Sequence, residues 1–366
     1  MRVILADIVP KNLPKPEAEK HFLELANLVK TLEGMTVIRI IQKRGCPSGK
    51  TYLGTGKSEE IGKIAKEEKV DAVVINGILK GNQIFELTKR IPVLILDRID
   101  IILRIFEKHA SSTEAKLQIS RARLEYDIPK IYGRAATTLF EREKGGIGVD
   151  RGAGETGIEI EKRHIRKQIK KIDEKLEKIK KNRKNQRKNR KRNNLPTATL
   201  VGYTNCGKST LLKALTGKEG LIANKLFATL DPKLGSMFSQ KLKKKIIISD
   251  TIGFIENLPH SLVMSFRATL EEVQYADLII HVFDASDPAE EIIRKKKTVE
   301  KVLEDLKLNQ KKKIFVANKI DLINKKNKSK KIKNCTYVSA VCGDNLEKLK
   351  FKIEKNITIG HYISNE

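Results

Sequence analysis

Gly202-Tyr203-Thr204-Asn205-Cys206-Gly207-Lys208-Ser209, entered from the apolar run Thr199-Leu200-Val201, is the stretch that decides the fold. Its spacing, G-x-x-x-x-G-K-S, is that of a phosphate-binding loop between a strand and a helix. The glycines let backbone N–H groups turn inward around phosphates, Lys208 neutralises charge, and Ser209 can ligate Mg²⁺. Strand, loop and a helix from Lys208 start a doubly wound α/β domain with nucleotide at the carboxyl edge of its sheet. Alone, the pattern would also suit an ATPase or a kinase.

Two later motifs narrow it. Asp250-Thr251-Ile252-Gly253 follows the apolar Ile246-Ile247-Ile248, so Asp250 ends a strand and faces the metal, while Gly253 can bring its N–H to a γ-phosphate. Asn318-Lys319-Ile320-Asp321 follows the apolar Ile314 to Ala317. A carboxylate at Asp321 can accept from both N1–H and N2–H of guanine, whereas adenine offers it no such pair of donors. Asn318 with Asp321 therefore selects guanine. Ser339-Ala340, with Val341 after it, fits the last base-contacting loop. The ordered set implies GTP binding and hydrolysis, with GDP as product.

Outward from these motifs, 74 Lys+Arg against 45 Asp+Glu give a net charge of +29, which points to a polyanionic partner such as RNA or a membrane surface. Coding bias toward Lys, Ile and Asn is the competing explanation, and the distribution decides between them. Lys178 to Arg192 holds ten basic residues and no acidic one. The four cysteines are scattered with no C-x-x-C, which suggests neither a disulfide framework nor a zinc site. There is no signal-peptide pattern at Met1 and no apolar stretch long enough to span a bilayer. The expectation is a cytoplasmic monomer whose basic surface also suits peripheral attachment to a membrane.

The pattern divides into three domains. Residues 1–97 alternate apolar strand-like runs (Val3 to Val9, Thr36 to Ile41, Ala72 to Ile75, Val93 to Leu96) with helical ones, the pattern of a small parallel α/β domain. Tyr52-Leu-Gly-Thr-Gly-Lys57 resembles a degenerate phosphate loop but lacks the four-residue arch, and reads as a turn into a helix. Residues 98–194 predict a long antiparallel helical hairpin. One helix runs from Asp100 to about Ile131 with Leu117, Leu124 and Ile131 on its seam; the other carries Ile165, Ile169, Ile172, Leu176 and Ile179 and ends in the basic run. Residues 195–366 are the P-loop GTPase domain.

Between the two helices, residues 145–157 hold six glycines. They can be a flexible connection or a functional tip. Lys144 and Arg151 bring charge to a thin backbone, with Gly146, Gly152 and Gly154 permitting close approach, as suits entry into a narrow RNA cavity. Arg183, Lys184, Arg187 and Lys188 are the further candidate RNA contacts.

The chain resembles the HflX-type GTPases, P-loop GTPases that associate with the large (50S) ribosomal subunit. The likeness lies in Tyr52 to Lys57, Leu96-Asp-Arg98, Glu114 to Gln118, Gly145 to Glu161, Gly202 to Thr210, Leu226 to Pro232 and Asp250 to Phe254. Within Phe227-Ala228-Thr229-Leu230-Asp231, the resemblance implies that Thr229 is the switch I threonine, closing on Mg²⁺ and the γ-phosphate. It also implies splitting or rescue of stalled ribosomes under stress. Subunit assembly and GTP-driven RNA modification are the alternatives, the latter disfavoured by the absence of a second catalytic motif. Two departures stand out in the glycine-rich segment, Ala153 for a usual Pro and Gly157 for a usual Gln.

Lys208, Thr229 and Gly253 are thus the candidate catalytic residues, and Ser209, Thr229 and, through water, Asp250 the candidate Mg²⁺ ligands. Directly after Gly253 stands Phe254, where Ras-like GTPases place glutamine. An aromatic ring cannot orient the attacking water, so either another residue of the chain does so or the ribosome supplies the group. Asn205 can ligate K⁺ in place of an arginine finger, or merely hydrogen-bond across the loop.

Overall fold

The computed structural model describes residues 1–131, 151–217, 227, 233–255, 262, 267–323 and 334–363. By internal contact it forms two compact units, one of Met1–Lys108 with Lys116–Leu176, the other of His109–Ala115 with Glu177–Glu366.

In the first unit four parallel strands, β1 (Arg2–Val9), β2 (Met35–Lys43), β3 (Ala72–Ile75) and β4 (Leu94–Asp97), lie in the order β2-β1-β3-β4. Parallel neighbours need crossovers, which α1 (Lys15–Thr31), α2 (Thr55–Glu67) and α3 (Gly81–Thr88) provide. β3 reads Ala-Val-Val-Ile and is buried throughout, as a strand covered on both faces must be. Ile4, Ala6, Val73 and Ile75 meet Ile61, Ala65 and Leu87 on one face. The 52–57 segment is the expected turn: Tyr52 has φ +60° and α2 begins at Thr55.

The helical segment departs from expectation in two places. A single helix from Asp100 to Ile131 is instead two, α4 (Arg98–His109) and α5 (Thr113–Asp127), the latter followed by a 3-10 turn at Ile128–Lys130. Ser112 causes the break, its Oγ accepting from Ala115 N at 3.0 Å as an N-cap that starts a new helix. The cap also rotates the buried face of α5 to Ala115, Gln118, Ile119 and Ala122, leaving Leu117 and Leu124 half-buried.

The second departure is at the glycine-rich stretch. α6 runs from Arg151 to Arg192, so Arg151–Gly157 are its first turns and not part of a loop. Helix-forming Glu, Lys, Arg and Ile dominate from Ile158 onward. Once a helix exists, each added residue gains a hydrogen bond, which offsets roughly 1 kcal/mol per glycine. Lys144, Gly146 and the rest of 145–150 lie outside the described residues. The expected stripe from Ile165 to Ile179 is half-buried, and Arg121 Nε on α5 donates to Asp173 Oδ1 on α6 at 2.6 Å.

Lys130, at the end of the 3-10 turn, is buried with its Nζ 3.1 Å from Asp97 Oδ2 and 3.2 Å from Asp100 Oδ2, and donates to Tyr126 Oη. Such charges are tolerable in an interior only when paired and hydrogen-bonded. Burial and the neighbouring Asp100 raise the Asp97 carboxyl, while Lys130 and Arg123, against the effect of burial, hold Asp100 low. The network fastens the end of α5 to the carboxyl edge of β4.

In the second unit six strands, β5 (Thr197–Gly202), β6 (Lys233–Ser239), β7 (Lys244–Asp250), β8 (Leu278–Asp284), β9 (Lys313–Asn318) and β10 (Cys335–Tyr337), form a sheet of order β10-β9-β8-β5-β7-β6. All pairs are parallel except β6 with β7. Alternation sends Ala198, Leu200, Ile280 and Val282 to one face, against α7 (Lys208–Thr216) and α10 (Leu346–Ile363). It sends Val201 and Ile279 to the other, against α8 (Arg267–Tyr275) and α9 (Ala289–Asp305). β5 lies between β7 and β8, so the loop after it opens where the winding reverses, the place where doubly wound sheets hold ligands.

Candidate nucleotide-binding site

The loop from Gly202 to Gly207 is fixed by close packing. A Cβ at Gly202 would lie 2.2 Å from the Val282 carbonyl oxygen, so only glycine lets β5 leave the sheet here. Gly207 has φ +86° and a Cβ there would meet Asn318 Nδ2 at 2.3 Å. Asn205 also takes a left-handed conformation, φ +60°, which asparagine tolerates better than most residues, and its side chain is exposed. Lys208 is buried and its Nζ donates back to the carbonyls of Tyr203 at 2.9 Å and Gly202 at 3.2 Å, which sets the ammonium beneath the loop. Cys206 is buried, and burial pushes its thiol up, making it a packing residue and not a nucleophile. Thr204 Oγ1 is buried with no hydrogen-bond partner among the described residues.

The strand carrying Asp250 comes alongside. Ser209 Oγ, in the first turn of α7, donates to Asp250 Oδ2 at 2.5 Å, and Asp250 is fully buried at the end of β7. This pair of hard oxygens beside a buried ammonium fits Mg²⁺. Thr251 Oγ1 donates to Leu200 O at 2.7 Å, and Ile252 is buried. A Cβ on Gly253 would come within 2.7 Å of Thr204 Cα and 3.1 Å of Lys208 Nζ, so Gly253 passes in direct contact with the phosphate loop. Thr204 N donates to Phe254 O at 2.8 Å and Phe254 N to Gly202 O at 3.1 Å, stitching the two segments together. The Phe254 ring packs among Val201, Leu270, Val273 and Ile279 and is 4 % exposed. It is a core side chain with no hydrogen-bonding group to offer a water.

The third motif closes the other side. Asn318 Nδ2 donates to Cys206 O at 3.1 Å and Gly207 O at 3.4 Å, while its Oδ1 accepts from Ala340 N at 3.0 Å. This one amide therefore ties the phosphate loop to the Ser339–Ala340 loop. Asp321 is exposed, and its Oδ1 accepts from Ser339 Oγ at 2.5 Å, a bond that aims the carboxylate. Lys319, at φ +64°, pairs with Asp284 Oδ2 at 2.7 Å and lies near Gly207, its Cε 3.8 Å from where a Cβ would sit there. Ile320 is half-buried and Val341 exposed. Asp284, 35 residues from Lys319 and without a motif of its own, was not legible in the sequence.

Of the expected site, Gly202 to Thr210, Asp250 to Gly253, Asn318 to Asp321 and Ser339 to Val341 thus converge on the carboxyl ends of β5, β7, β9 and β10. Phe227 is described, buried at φ +57°; Ala228, Thr229, Leu230 and Asp231 lie outside the described residues. Among the expected RNA contacts, Lys184 and Lys188 are exposed on α6. Arg183 requires correction. Its guanidinium lies 2.9 Å from Glu114 and 3.6 Å from Glu271 with its side chain 14 % exposed, because two carboxylates outcompete solvent for it. The side chains of Arg151 and Arg187 lie outside the described ones, and Gly152 and Gly154 stand in the first turns of α6.

Three families match along the chain. Residues 19–107 match one described as GTP-binding GTPase N-terminal, 109–190 one described as GTP-binding GTPase middle region, and 197–319 one described as 50S ribosome-binding GTPase. The chain is 41 % identical to the GTPase HflX of Caldanaerobacter subterraneus subsp. tengcongensis over 88 % of this chain and 73 % of that protein. It is 39 % identical to the GTPase HflX of Alkalihalophilus pseudofirmus, over 94 % and 80 %. With that of Methanocaldococcus jannaschii it shares 36 %, over 93 % and 84 %. Among solved structures, SsGBP in its GDP complex superposes with a TM-score of 0.52 at 26 % identity, covering 98 % of this chain and 99 % of that one.

Proposed function

The chain belongs to the HflX family of GTPases, and from that premise we propose that it hydrolyses GTP on the large ribosomal subunit, coupling the cycle to splitting or rescue of stalled ribosomes under stress. The observation that carries the reading is the convergence of Lys208, Ser209 and Asp250 with the Asp321–Ser339 pair at one sheet edge. A phosphate-binding end and a guanine-binding end then face one another across the phosphate loop.

In this reading Lys208 neutralises β- and γ-phosphate oxygens, backbone N–H groups from Gly202 to Thr210 cradle them, and Asp321 accepts from the guanine edge. Asn318, Lys319 and Ala340 hold the base pocket in place. Ser209 and Thr229 would bind Mg²⁺ directly and Asp250 through water, the ion neutralising the charge that builds between β- and γ-phosphates. Gly253 brings its N–H to the γ-phosphate. Asn205, exposed at the loop's crest, would ligate K⁺.

Phe254 is spent on packing, so nothing at that position orients the attacking water and intrinsic turnover is slow. Supply of that group by the ribosome would lower the barrier by roughly 4 to 7 kcal/mol, several powers of ten in rate. The family described as 50S ribosome-binding GTPase, matched by residues 197–319, supports the partner. In this reading the domains are 1–97, 98–194 and 195–366, and the middle one, with exposed Lys184 and Lys188, meets ribosomal RNA.

The test is GTP turnover by the full chain together with light scattering of 70S particles. GTP-dependent dissociation of 70S ribosomes supports the proposal. Binding to precursor 50S particles alone points to assembly instead.

A further inference from the structure

In the second unit, β6 and β7 form an antiparallel hairpin at the end of the strand order, closed by a turn over 240–243 in which Leu242 N donates to Ser239 Oγ at 3.1 Å. From 233 to 249 the chain holds five lysines and no acidic residue. Lys241, Lys243, Lys244 and Lys245 are exposed, and none of them pairs with a carboxylate among the described residues. Lys243 has φ +49°, a conformation that glycine or asparagine takes at lower cost, so the turn keeps a cation against its backbone preference. Alternation along β6 turns Gly235, Met237 and Ser239 inward and leaves Leu234 and Phe238 exposed. Phe238 is 62 % exposed and stands directly opposite Lys245 in the ladder, so the ring and the lysine stem share one face. The basic end of α6 arrives at the same edge: exposed Arg192 stands four residues before Pro196, whose carbonyl accepts from Ile247 N at 2.9 Å. These cations flank the amino ends of β5 and β7, whereas the nucleotide residues gather at the carboxyl ends, about 20 Å away along β7.

We propose that the β6–β7 hairpin is a binding site for an unpaired RNA strand, in which a base stacks on Phe238 while Lys241, Lys243, Lys244 and Lys245 meet the phosphates beside it. Duplex RNA keeps its base faces inside the helix and offers a protein mainly shape and backbone, so it gives an exposed ring nothing to stack on. An unpaired strand offers base faces and phosphates together, which is what an aromatic ring among lysines can hold. An anionic membrane would also attract the lysines, but insertion needs a broad apolar face. Here Leu234 and Phe238 are the exposed apolar residues of the hairpin, and Leu242 of the turn packs inward on the core. The inference adds to the proposed function an RNA contact on the GTPase domain itself, and rests on that reading only for the RNA being ribosomal.

The experiment measures binding of the full-length parent, Phe238→Ala, Phe238→Trp and a variant with Lys241, Lys243, Lys244 and Lys245 all changed to Gln. The probes are a short fluorescent oligouridylate, a duplex RNA of equal length and phosphatidylglycerol vesicles, each across a salt series. Phe238→Ala should lose about tenfold in affinity for oligouridylate, with its salt slope unchanged and its affinity for the duplex kept. Phe238→Trp should bind as the parent does, because it keeps a ring to stack on. The lysine variant should flatten the salt slope on oligouridylate by about three, the effect of four lost phosphate contacts on a single strand. Basal GTP hydrolysis and melting temperature should be unchanged in every variant, since the substituted side chains are exposed and none belongs to the nucleotide site. Equal affinity of the parent and Phe238→Ala for oligouridylate overturns the proposal, as does an equal loss on strand and duplex. A loss confined to the vesicles overturns it too and makes the hairpin a membrane contact. Co-sedimentation of the parent with 50S subunits separates this inference from the function it extends. Binding to the subunit with no effect of Phe238 on oligouridylate keeps that function and removes the hairpin; dependence on Phe238 without subunit binding does the reverse.

Discussion

Ser339 Oγ holds the Asp321 carboxylate, and in the proposed function that carboxylate reads the base, which makes base choice testable at one side chain. Asp321→Asn replaces an acceptor by a donor. Preference should move from guanine toward xanthine nucleotides, which present an acceptor at O2, and competition binding of GTP against XTP reads the change; unchanged guanine preference would assign selectivity elsewhere. Gly253 is the second residue that geometry singles out, since a Cβ there would sit 2.7 Å from Thr204 Cα. Gly253→Ala should cut turnover by at least about tenfold while the melting temperature shifts by only a few degrees, about what 1 kcal/mol does in a domain of this size. For Asn205, replacing Na⁺ by K⁺ at constant ionic strength should raise parental turnover and leave that of Asn205→Ala unchanged.

Among the elements, β8 carries a buried titratable group that the chemistry does not use. His281 sits in the middle of the sheet beside Phe283 and Phe315, and burial, with Lys296 and Lys313 adding, lowers its pKa to about 3. In the unfolded chain it titrates near the ordinary value of about 6.5. The folded state therefore holds fewer protons between these two values, so stability falls as pH drops below about 6.5, by up to about 1.4 kcal/mol per pH unit. Urea midpoints from pH 7 to pH 4.5 should show this slope in the parent and a shallower one in His281→Phe; parallel slopes would place the acid sensitivity in the carboxylates.

The same scale shows what could be read from sequence. Strands such as β3 and β9 are short apolar runs, β9 leading into Asn318–Asp321, and they occur where expected. β6 was not legible, because an edge strand with exposed Leu234 and Phe238 and buried Gly235 and Ser239 mixes polar and apolar residues on each side. Gly235 is required there because Thr216 Oγ1 lies 2.6 Å from where its Cβ would be, a contact no local pattern encodes. The break between α4 and α5 was present in Ser112 but hidden by the apolar periodicity running across it. The helical start at Arg151 was hidden by glycines whose cost the rest of α6 offsets. Arg183 looked like its basic neighbours until two distant carboxylates were brought to it.

For the whole molecule, the charge of +29 is a long-range term that would, in the proposed function, draw it to RNA. Neutralising the exposed Lys184 and Lys188 with their basic neighbours, leaving Arg183 in place, should weaken ribosome co-sedimentation broadly and flatten its dependence on salt. Shortening 145–157 should instead leave binding and basal hydrolysis intact while 70S splitting is lost. Among the described residues no helix is long and apolar enough to cross a membrane. The central claim is that Phe254, buried in the core, offers no water-orienting group directly after Gly253, and that the large subunit supplies one. The most direct measurement is single-turnover GTP hydrolysis by the full chain with and without purified 50S subunits. The account predicts a slow basal rate that rises by about a hundredfold or more on the subunit; the same rate in both would contradict it.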